Sequence, residues 1–426
     1  MKKLFLLFLP LSLFSQSYDV LFLGNSYTAY NNLPNLVSQI ANSLDDTLNP
    51  YSNTPGGWTL EQHAQAGSSS RQKITEQQWD FVVIQAQSNE PSFPPFQVQE
   101  QTYPYAETLV NAIEDNYLCS EPVFYMTWGR ENGDNINGPQ YPIISTYAGM
   151  QQRLRESYLE MGINNNATVS PVGMAWYQMR EQYPNVNLYS GDESHPSLAG
   201  SYLAACVHYC TIFAKSCQSS DTYIPNGLDV TVASNIQTIA SNTVLDSTQV
   251  WNMFYIQSLD TNKINQTSYE FDLQVSNYDS IYWDFGDNTS VSNSLNVEHE
   301  YIEEGSYNVT LTVSSNGCKI LSQTIVISIP NGSTDTTGGN DTTSIFIYDK
   351  EDNLSLYPNP ANQFIAFEGK LSKSKMKIIN VFSEVVLEKH IQKGEQIDIS
   401  NLSSGYYIIE LGSTEIIKTF KLIKNE

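Results

Sequence analysis

Residues 20–27 read VLFLGNSY, four apolar residues followed at once by a turn of small residues that carries a serine. A short apolar run without polar alternation predicts a buried strand of a parallel sheet. Residues 33–44 then show apolar residues near helical spacing, with Pro34 acceptable in a first helical turn. Ser26 is therefore predicted between a strand and a helix, at the carboxyl end of the strand, where open α/β sheets place ligands.

The alternation of strand and helix continues to about residue 250. Further buried strands are predicted at residues 79–84 and 122–128, and further helices at 106–113, 147–161 and 198–213. Apolar strands separated by helices predict a parallel sheet that is covered on both faces. The first part of the chain is therefore predicted to have an α/β fold, a flavodoxin-like three-layer α/β/α sandwich with a parallel sheet.

From about residue 252 the pattern contains only strands and turns. Residues 269–275, 306–313 and 320–329 alternate with period two, which predicts half-buried β-strands. Between them, residues 282–287 (YWDFGD) are followed by 299–301 (HEY) and 305–307 (GSY). These residues resemble the signature of a PKD domain, an immunoglobulin-like module, and the resemblance implies a small all-β sandwich.

The C-terminal region begins with a segment, residues 331–350, that has no large apolar side chain before Ile345 and is predicted to be a flexible linker. After it, residues 354–361 (LSLYPNPA), 398–409 (DISNLSSGYYII) and 418–424 (KTFKLIK) resemble the C-terminal sorting domain of the type IX secretion system. The resemblance implies a second small all-β sandwich and recognition by the type IX secretion machinery. It also implies a mature protein that is secreted or attached to the cell surface.

The N-terminus has the features of a signal peptide: two lysines precede an apolar run at residues 4–14, which ends in Ser-Gln-Ser. No later segment approaches the roughly 18 uninterrupted apolar residues of a membrane span, so no transmembrane segment is predicted. The predicted domains are a signal peptide at 1–16, a hydrolase domain at 17–251, a PKD domain at 252–330, a linker at 331–352 and a sorting domain at 353–426.

The charge balance argues against nucleic acid as a partner. The chain has 21 Lys and Arg against 45 Asp and Glu, a formal net charge of −24, which repels a phosphate backbone. An exported chain can form disulfides among its five cysteines, Cys119, Cys206, Cys210, Cys217 and Cys318. A bridge from Cys210 to Cys217 and buried free thiols remain alternatives at this point, and no chemistry is assigned to the cysteines.

A second polar motif, residues 192–196 (DESHP), supplies what a nucleophilic serine requires. A serine hydroxyl needs a base to remove its proton, and a carboxylate must hold that base in the correct tautomer. The Asp-x-x-His spacing lets Asp192 accept the Nδ1 hydrogen of His195 while Nε2 faces a serine. The other four histidines, His63, His208, His299 and His390, fall in helical contexts, the PKD signature or the tail.

Acyl transfer also requires donors for the oxyanion of the tetrahedral intermediate. Three candidates are the backbone N–H of Ser26, that of Gly57 in residues 55–60 (PGGWTL), and the side-chain amide of Asn89 in residues 82–89 (VVIQAQSN). Glycine suits a loop whose backbone must approach a substrate, and asparagine offers a neutral donor.

In chain order, these motifs resemble the four conserved blocks of the SGNH (GDSL-like) hydrolases. The resemblance implies ester hydrolysis through an acyl-enzyme, with Ser26 as nucleophile, His195 as base and then acid, and Asp192 as the group that orients His195. It implies no metal and no organic cofactor. Two residues depart from the family pattern: Asn25 stands where aspartate is usual, and Gln87 where glycine is common. Gln85 or Gln87 are therefore alternatives to Asn89 as oxyanion donor.

The sequence therefore predicts a secreted serine esterase whose favoured substrate is an acetylated polysaccharide. Export, the appended β-sandwich and four aromatic residues near the site motifs, Tyr27, Trp58, Trp128 and Trp176, motivate the carbohydrate part. One alternative is a lipid or aryl esterase with the same triad. Another is a catalytically inactive protein for surface adhesion or glycan binding. The sequence does not identify the substrate-binding residues.

Overall fold

The computed structural model describes residues 16–315, 318–329, 355–357, 361–368, 374–379, 385–392, 395–403, 405–413 and 416–424. The predicted signal peptide, except its last residue, and the predicted linker lie outside the described residues. The chain divides into two compact units, Met1–Ser333 and Thr334–Glu426.

The first unit begins with a five-stranded parallel sheet whose strand order is β2-β1-β3-β4-β5. This is the order of flavodoxin-like sheets, so the predicted α/β fold class is confirmed. The central strands bury most of their side chains, as their continuous apolar sequences predict. The strands are β1 Ser17–Leu23, β2 Thr47–Asn53, β3 Phe81–Ile84, β4 Glu121–Tyr125 and β5 Thr168–Ser170.

Helices cover this sheet. α9 packs against α2, α8 and α10, and α6 packs against α3, α4 and α7. α9 is buried at every residue after its first, which explains its almost uninterrupted apolar sequence. The helices are α1 Ser26–Ala29, α2 Leu33–Ser43, α3 Leu60–Ala64, α4 Ser69–Ile74, α5 Pro95–Gln101, α6 Tyr103–Asn116, α7 Tyr147–Asn164, α8 Val172–Gln182, α9 Leu198–Phe213 and α10 Val230–Leu245. Short 3₁₀ turns occupy Tyr30–Asn32, Glu90–Ser92 and Pro142–Ser145.

The first unit continues with two antiparallel sheets, ordered β10-β7-β6 and β12-β11-β8-β9. Their inner faces enclose a core that includes Phe271, Trp283, Phe285, Tyr301 and Leu311. Trp283 and Phe285 come from the YWDFGD motif, and the Nε1–H of Trp283 donates to the Ser294 carbonyl at 2.9 Å. The strands are β6 Tyr255–Lys263, β7 Ser268–Ser276, β8 Ser280–Asp284, β9 Ser290–Ser292, β10 Asn296–Glu300, β11 Gly305–Ser315 and β12 Lys319–Ile329.

The second unit is a separate all-β body with sheets ordered β13-β14-β17 and β16-β15-β18-β19. Its core includes Ile365, Met376, Ile378, Ile409 and Leu422. The strands are β13 Ser355–Tyr357, β14 Phe364–Glu368, β15 Ser374–Ile379, β16 Val385–Ile391, β17 Ile397–Asp398, β18 Gly405–Ser413 and β19 Ile416–Lys424. Among the described residues of the whole chain, no helix has the length and apolar character needed to cross a membrane.

One disulfide, between Cys119 and Cys318, joins the loop before β4 to the turn before β12. Cys206, Cys210 and Cys217 are buried free thiols, so the alternative of a Cys210 to Cys217 bridge is wrong. The thiols of Cys210 and Cys217 instead contact the hydroxyl of Ser241, at 3.7 Å and 3.5 Å. Burial raises the pKa of both thiols, which keeps them protonated.

Cys119 precedes the amino end of β4, and Cys318 precedes β12 of the antiparallel sheet β12-β11-β8-β9. The disulfide therefore attaches this antiparallel sheet to the parallel sheet at the amino ends of the parallel strands. Because the bridge spans 199 residues, it closes a long loop in the unfolded chain. The double substitution Cys119→Ser and Cys318→Ser should lower the free energy of unfolding by about 4 kcal/mol. Denaturant unfolding of the variant and of the oxidised protein measures this difference, and equal midpoints would contradict it.

Candidate active site

Three of the predicted residues form one hydrogen-bonded chain at the carboxyl end of β1. Ser26 is the first residue of α1, directly after the turn that follows β1. Its Oγ lies 2.8 Å from Nε2 of His195, and Nδ1 of His195 lies 2.5 Å from Oδ2 of Asp192. The structure thus brings together a hydroxyl, an imidazole and a carboxylate that are 169 and 3 residues apart in sequence.

Asp192 is held as a carboxylate by several donors. Its Oδ1 accepts the backbone N–H groups of Ser194 and His195, at 3.1 Å and 2.9 Å, and the hydroxyl of Ser190 at 2.7 Å. Partial burial raises the pKa of Asp192, but the hydrogen bonds from His195 and Ser190 outweigh burial and hold the pKa well below its usual range. An ionised Asp192 requires a hydrogen on Nδ1, which leaves Nε2 to accept the Ser26 hydroxyl hydrogen.

Buried aromatic rings support the loop that carries His195. The hydroxyl of Tyr27 lies 2.7 Å from Oγ of Ser194, and Nε1 of Trp128 donates to the Ser194 carbonyl at 3.0 Å. The Tyr27 ring stacks on Trp128 at 4.6 Å, and Trp128 stacks on Trp176 at 3.9 Å. Tyr27, Trp128 and Trp176 are all buried, and Trp58 is half-buried. Three of the four aromatic residues that suggested a glycan surface are therefore core residues that position the loop.

Asn25 explains the first departure from the family pattern. Its side-chain oxygen accepts the N–H of Tyr27 at 3.1 Å, and its Nδ2 donates to the Trp58 carbonyl at 3.1 Å. A carboxylate could make the first contact but could not donate the second. The amide therefore ties the turn that carries Ser26 to the loop that carries Gly57.

Gln85 lies beneath the same turn and uses both ends of its amide. Its Oε1 accepts the backbone N–H of Asn25 and the hydroxyl of Thr28, each at 2.9 Å, and its Nε2 donates to the Ala86 carbonyl at 2.5 Å. Gln85 is completely buried. These contacts hold the turn in place and use one of the two amide hydrogens of Gln85, whose role as an alternative oxyanion donor stays a prediction.

Gly57 and Asn89 lie on the loops that follow β2 and β3. Gly57 has φ +72°, a left-handed conformation that glycine adopts at little cost. Nδ2 of Asn89 donates to Oδ2 of Asp134 at 3.1 Å, which uses one of its two amide hydrogens. Within the described part of the chain, neither residue hydrogen-bonds to Ser26. Their role as oxyanion donors stays a prediction.

Asp134 and Gln87 fix the position of Asn89. Asp134 is buried and also accepts from Nδ2 of Asn137 at 2.8 Å, and the Oε1 of Gln87 accepts the N–H groups of Asn89 and Glu90, at 2.9 Å and 3.3 Å. Gln87 therefore shapes the loop with its oxygen, where a glycine would leave these N–H groups without that acceptor. Asp134 is a site residue that sequence reasoning missed, because its contact with Asn89 spans 45 residues and leaves no local motif.

The other two histidines of the α/β domain lie in the interior. Nδ1 of His63 is 2.5 Å from Oγ of Ser70, and burial lowers the pKa of His63 to about 4. Nδ1 of His208 is 3.0 Å from Oγ of Ser170, and burial lowers the pKa of His208 to about 3. Both are therefore neutral at pH 7, and only His195 of the three is hydrogen-bonded to Ser26.

Solved structures similar to this chain include three bacterial proteins. A DUF4886 family protein from Bacteroides uniformis is 18% identical, with 54% of this chain and 95% of that chain covered and a TM-score of 0.46. A candidate SGNH hydrolase from Slackia heliotrinireducens is 25% identical over 45% and 97%, with a TM-score of 0.37. A candidate GDSL-like lipase from Parabacteroides merdae is 16% identical over 47% and 97%, with a TM-score of 0.35. No curated protein matches the chain.

Two family models match the later part of the chain. Residues 256–329 match the PKD domain, and residues 355–425 match the secretion system C-terminal sorting domain. Both matches confirm the resemblances that the YWDFGD and LSLYPNPA motifs indicate. The chain therefore carries a PKD domain and a type IX secretion sorting domain, and it is a protein that is secreted or attached to the cell surface.

Proposed function

We propose that this chain is a serine esterase that hydrolyses carboxylic esters through an acyl-enzyme. The observation that carries the proposal is the continuous chain from Ser26 Oγ to His195 Nε2, at 2.8 Å, and from His195 Nδ1 to Asp192 Oδ2, at 2.5 Å. The first distance is that of an ordinary hydrogen bond and the second is that of a short one, and each group has the partner that activation of a serine requires.

In the acylation step, Oγ of Ser26 attacks the ester carbonyl carbon while Nε2 of His195 takes the hydroxyl proton. The carbonyl oxygen becomes an oxyanion, for which the backbone N–H groups of Ser26 and Gly57 and the side-chain amide of Asn89 are the proposed donors. Collapse of the tetrahedral intermediate breaks the bond to the alcohol, which leaves with the proton from His195. The acyl group is then bonded to Ser26.

In the deacylation step, a water molecule attacks the acyl carbon and gives its proton to His195 Nε2. The second tetrahedral intermediate releases the carboxylic acid, and the proton returns to Ser26 Oγ. Asp192 stays ionised throughout because its hydrogen bonds keep its pKa well below its usual range. Its negative charge stabilises the imidazolium that forms in both steps.

For the substrate, we favour acetyl esters of an extracellular polysaccharide. Export by the sorting domain supports an extracellular substrate, and the attached PKD domain fits a protein that works at a surface. Because Trp128 and Trp176 are buried, these two aromatic residues no longer support a carbohydrate substrate.

A lipid or aryl ester is the second candidate, and exposed apolar side chains favour it. Phe96, Ile136 and Ile143 are 67%, 68% and 40% exposed, in segments that follow β3 and β4. Asn89 and Asp134 lie in the same two segments. Apolar side chains that remain in water are suited to contact an apolar substrate group.

A fluorophosphonate probe tests the proposed function. We expect one covalent adduct, located on Ser26 by mass spectrometry of the digested protein, and a stoichiometry near one per chain. Folded protein that forms no adduct at Ser26 would support the inactive adhesion or glycan-binding alternative instead. Hydrolysis rates on acetylated polysaccharides are compared with those on p-nitrophenyl esters whose acyl chains have about two to twelve carbons. This comparison separates the two substrate classes.

A further inference from the structure

The imidazole of His195 contacts an aromatic ring that no motif predicts. Tyr30 follows α1, and its ring stacks on the imidazole with a centroid distance of 4.7 Å and an interplanar angle of 24°. Tyr27 approaches the same imidazole with its ring at 67° and 5.4 Å. Tyr30 is 41% exposed, whereas Tyr27 is buried. Tyr30 thus lies between one face of His195 and solvent.

The backbone around Tyr30 is shaped to hold this contact. Asn31 and Asn32, which follow it, have φ of 50° and 52°, in the left-handed region that asparagine tolerates better than most residues. Nδ2 of Asn31 donates to Oγ of Ser201 at 2.9 Å and to the Ser197 carbonyl at 3.2 Å. Ser197 caps the N-terminus of α9 and Ser201 lies in its first turn, shortly after His195 in the chain. The Tyr30 turn and the His195 loop are therefore linked by hydrogen bonds as well as by the ring contact.

Stacking supplies what the hydrogen bonds of His195 do not. Asp192 and Ser26 hold Nδ1 and Nε2 by hydrogen bonds, but two bonds at the edge of the ring leave the tilt of the imidazole plane about the line that joins them weakly restrained. A ring against one face restrains that tilt. An aromatic face also attracts a cation, so a ring in this position can stabilise an imidazolium that forms during a reaction.

We propose that Tyr30 is a positioning residue for His195, which keeps the plane of the imidazole directed at Ser26 and stabilises the imidazolium formed during acyl transfer. The inference rests on the proposed function, because it requires His195 to accept the proton of Ser26. The ring face carries the effect, and the hydroxyl group of Tyr30 does not contribute to it.

Three substitutions separate the ring face from its bulk and its hydroxyl. Tyr30→Phe keeps the aromatic face, Tyr30→Leu keeps much of the volume without that face, and Tyr30→Ala removes both. The control is Tyr282→Ala, which removes a tyrosine of similar exposure, 45%, from the PKD domain. Each full-length variant is assayed for the rate constant of fluorophosphonate labelling and for kcat and KM on p-nitrophenyl acetate, with the thermal midpoint as a check on folding.

We expect Tyr30→Phe and the control to stay within about twofold of the unaltered protein, and Tyr30→Leu and Tyr30→Ala to lose about five- to tenfold in kcat and in labelling rate with KM unchanged. A wild-type rate for Tyr30→Leu would overturn the inference, because bulk alone would then suffice. A change confined to KM would also overturn it. If the unaltered protein forms no adduct, both the proposed function and this inference fail; if it is labelled and Tyr30→Ala reacts equally fast, only the inference fails.

Discussion

Substitution of Ser26 by alanine should abolish ester hydrolysis, with kcat on p-nitrophenyl acetate reduced roughly 10⁴- to 10⁶-fold. The variant has no hydroxyl to attack the ester, so no acyl-enzyme forms. Hydrolysis would then depend on water attacking from solvent, with only the oxyanion donors and binding to assist it. Steady-state kinetics of the purified full-length variant measures the loss, and intact-mass spectrometry should show no fluorophosphonate adduct.

The fold of this variant should be unchanged, so the loss can be attributed to chemistry. Oγ of Ser26 is hydrogen-bonded to Nε2 of His195, and His195 retains its hydrogen bond to Asp192 when that hydroxyl is removed. Ser234→Ala is the matched control, because Ser234 is an exposed serine of α10 away from the triad. Activity retained by Ser26→Ala at more than about a tenth of the unaltered rate would refute Ser26 as nucleophile.

Much of the α/β domain could be predicted because its central strands and longest helices have patterns that follow directly from burial. The continuous apolar runs at β1 and β4 indicate strands that are covered on both faces, and the helix at 198–213 matches α9. β2 escaped prediction because it is an edge strand: it contains Pro50 and exposes most of its side chains. β5 has only three residues, too few for any periodic pattern.

For the site, the sequence predicts residues that lie in a local motif, such as Ser26 in the turn after β1, and misses those that meet only through folding and lie in no motif. Asp192 and His195 are three residues apart, so a single turn brings them together. Asp134 and Asn89 meet across 45 residues, and Tyr30 and His195 across a still longer separation, with no spacing that marks either pair. The Cys119–Cys318 disulfide, 199 residues apart, is hidden for the same reason.

The carboxylate of Asp192 should have the second largest effect on catalysis. It accepts the Nδ1 hydrogen of His195 at one oxygen and three further donors at the other, so all its contacts require an acceptor. Asparagine has one acceptor oxygen and one NH₂ group. If that oxygen keeps the backbone N–H bonds, the NH₂ group faces Nδ1 of His195, which must then accept. The hydrogen of the imidazole is then on Nε2. Because Nε2 faces Ser26 and already carries a hydrogen, it cannot take the proton of the Ser26 hydroxyl.

The pH dependence of stability shows in which pH range Asp192 keeps its charge. In that range the tautomer effect is separate from any loss of the Asp192 charge by protonation. Hydrogen bonds lower the pKa of Asp192 in the folded protein, so the carboxylate contributes to stability above the unfolded pKa of an aspartate. That contribution is lost only as the pH falls through the lower, folded value. Between about pH 6 and 8 the carboxylate is therefore ionised in both states, and Asp192 adds no pH dependence to stability.

We therefore expect Asp192→Asn to lower kcat by roughly 10³- to 10⁴-fold between about pH 6 and 8. Kinetics on p-nitrophenyl acetate across that range measures it. Asp229→Asn is the matched control, because Asp229 also accepts two backbone N–H groups, at the N-terminus of α10, where asparagine caps a helix equally well. A defect of less than about tenfold would show that His195 finds its productive tautomer without the carboxylate, and the orienting role of Asp192 would have to be withdrawn.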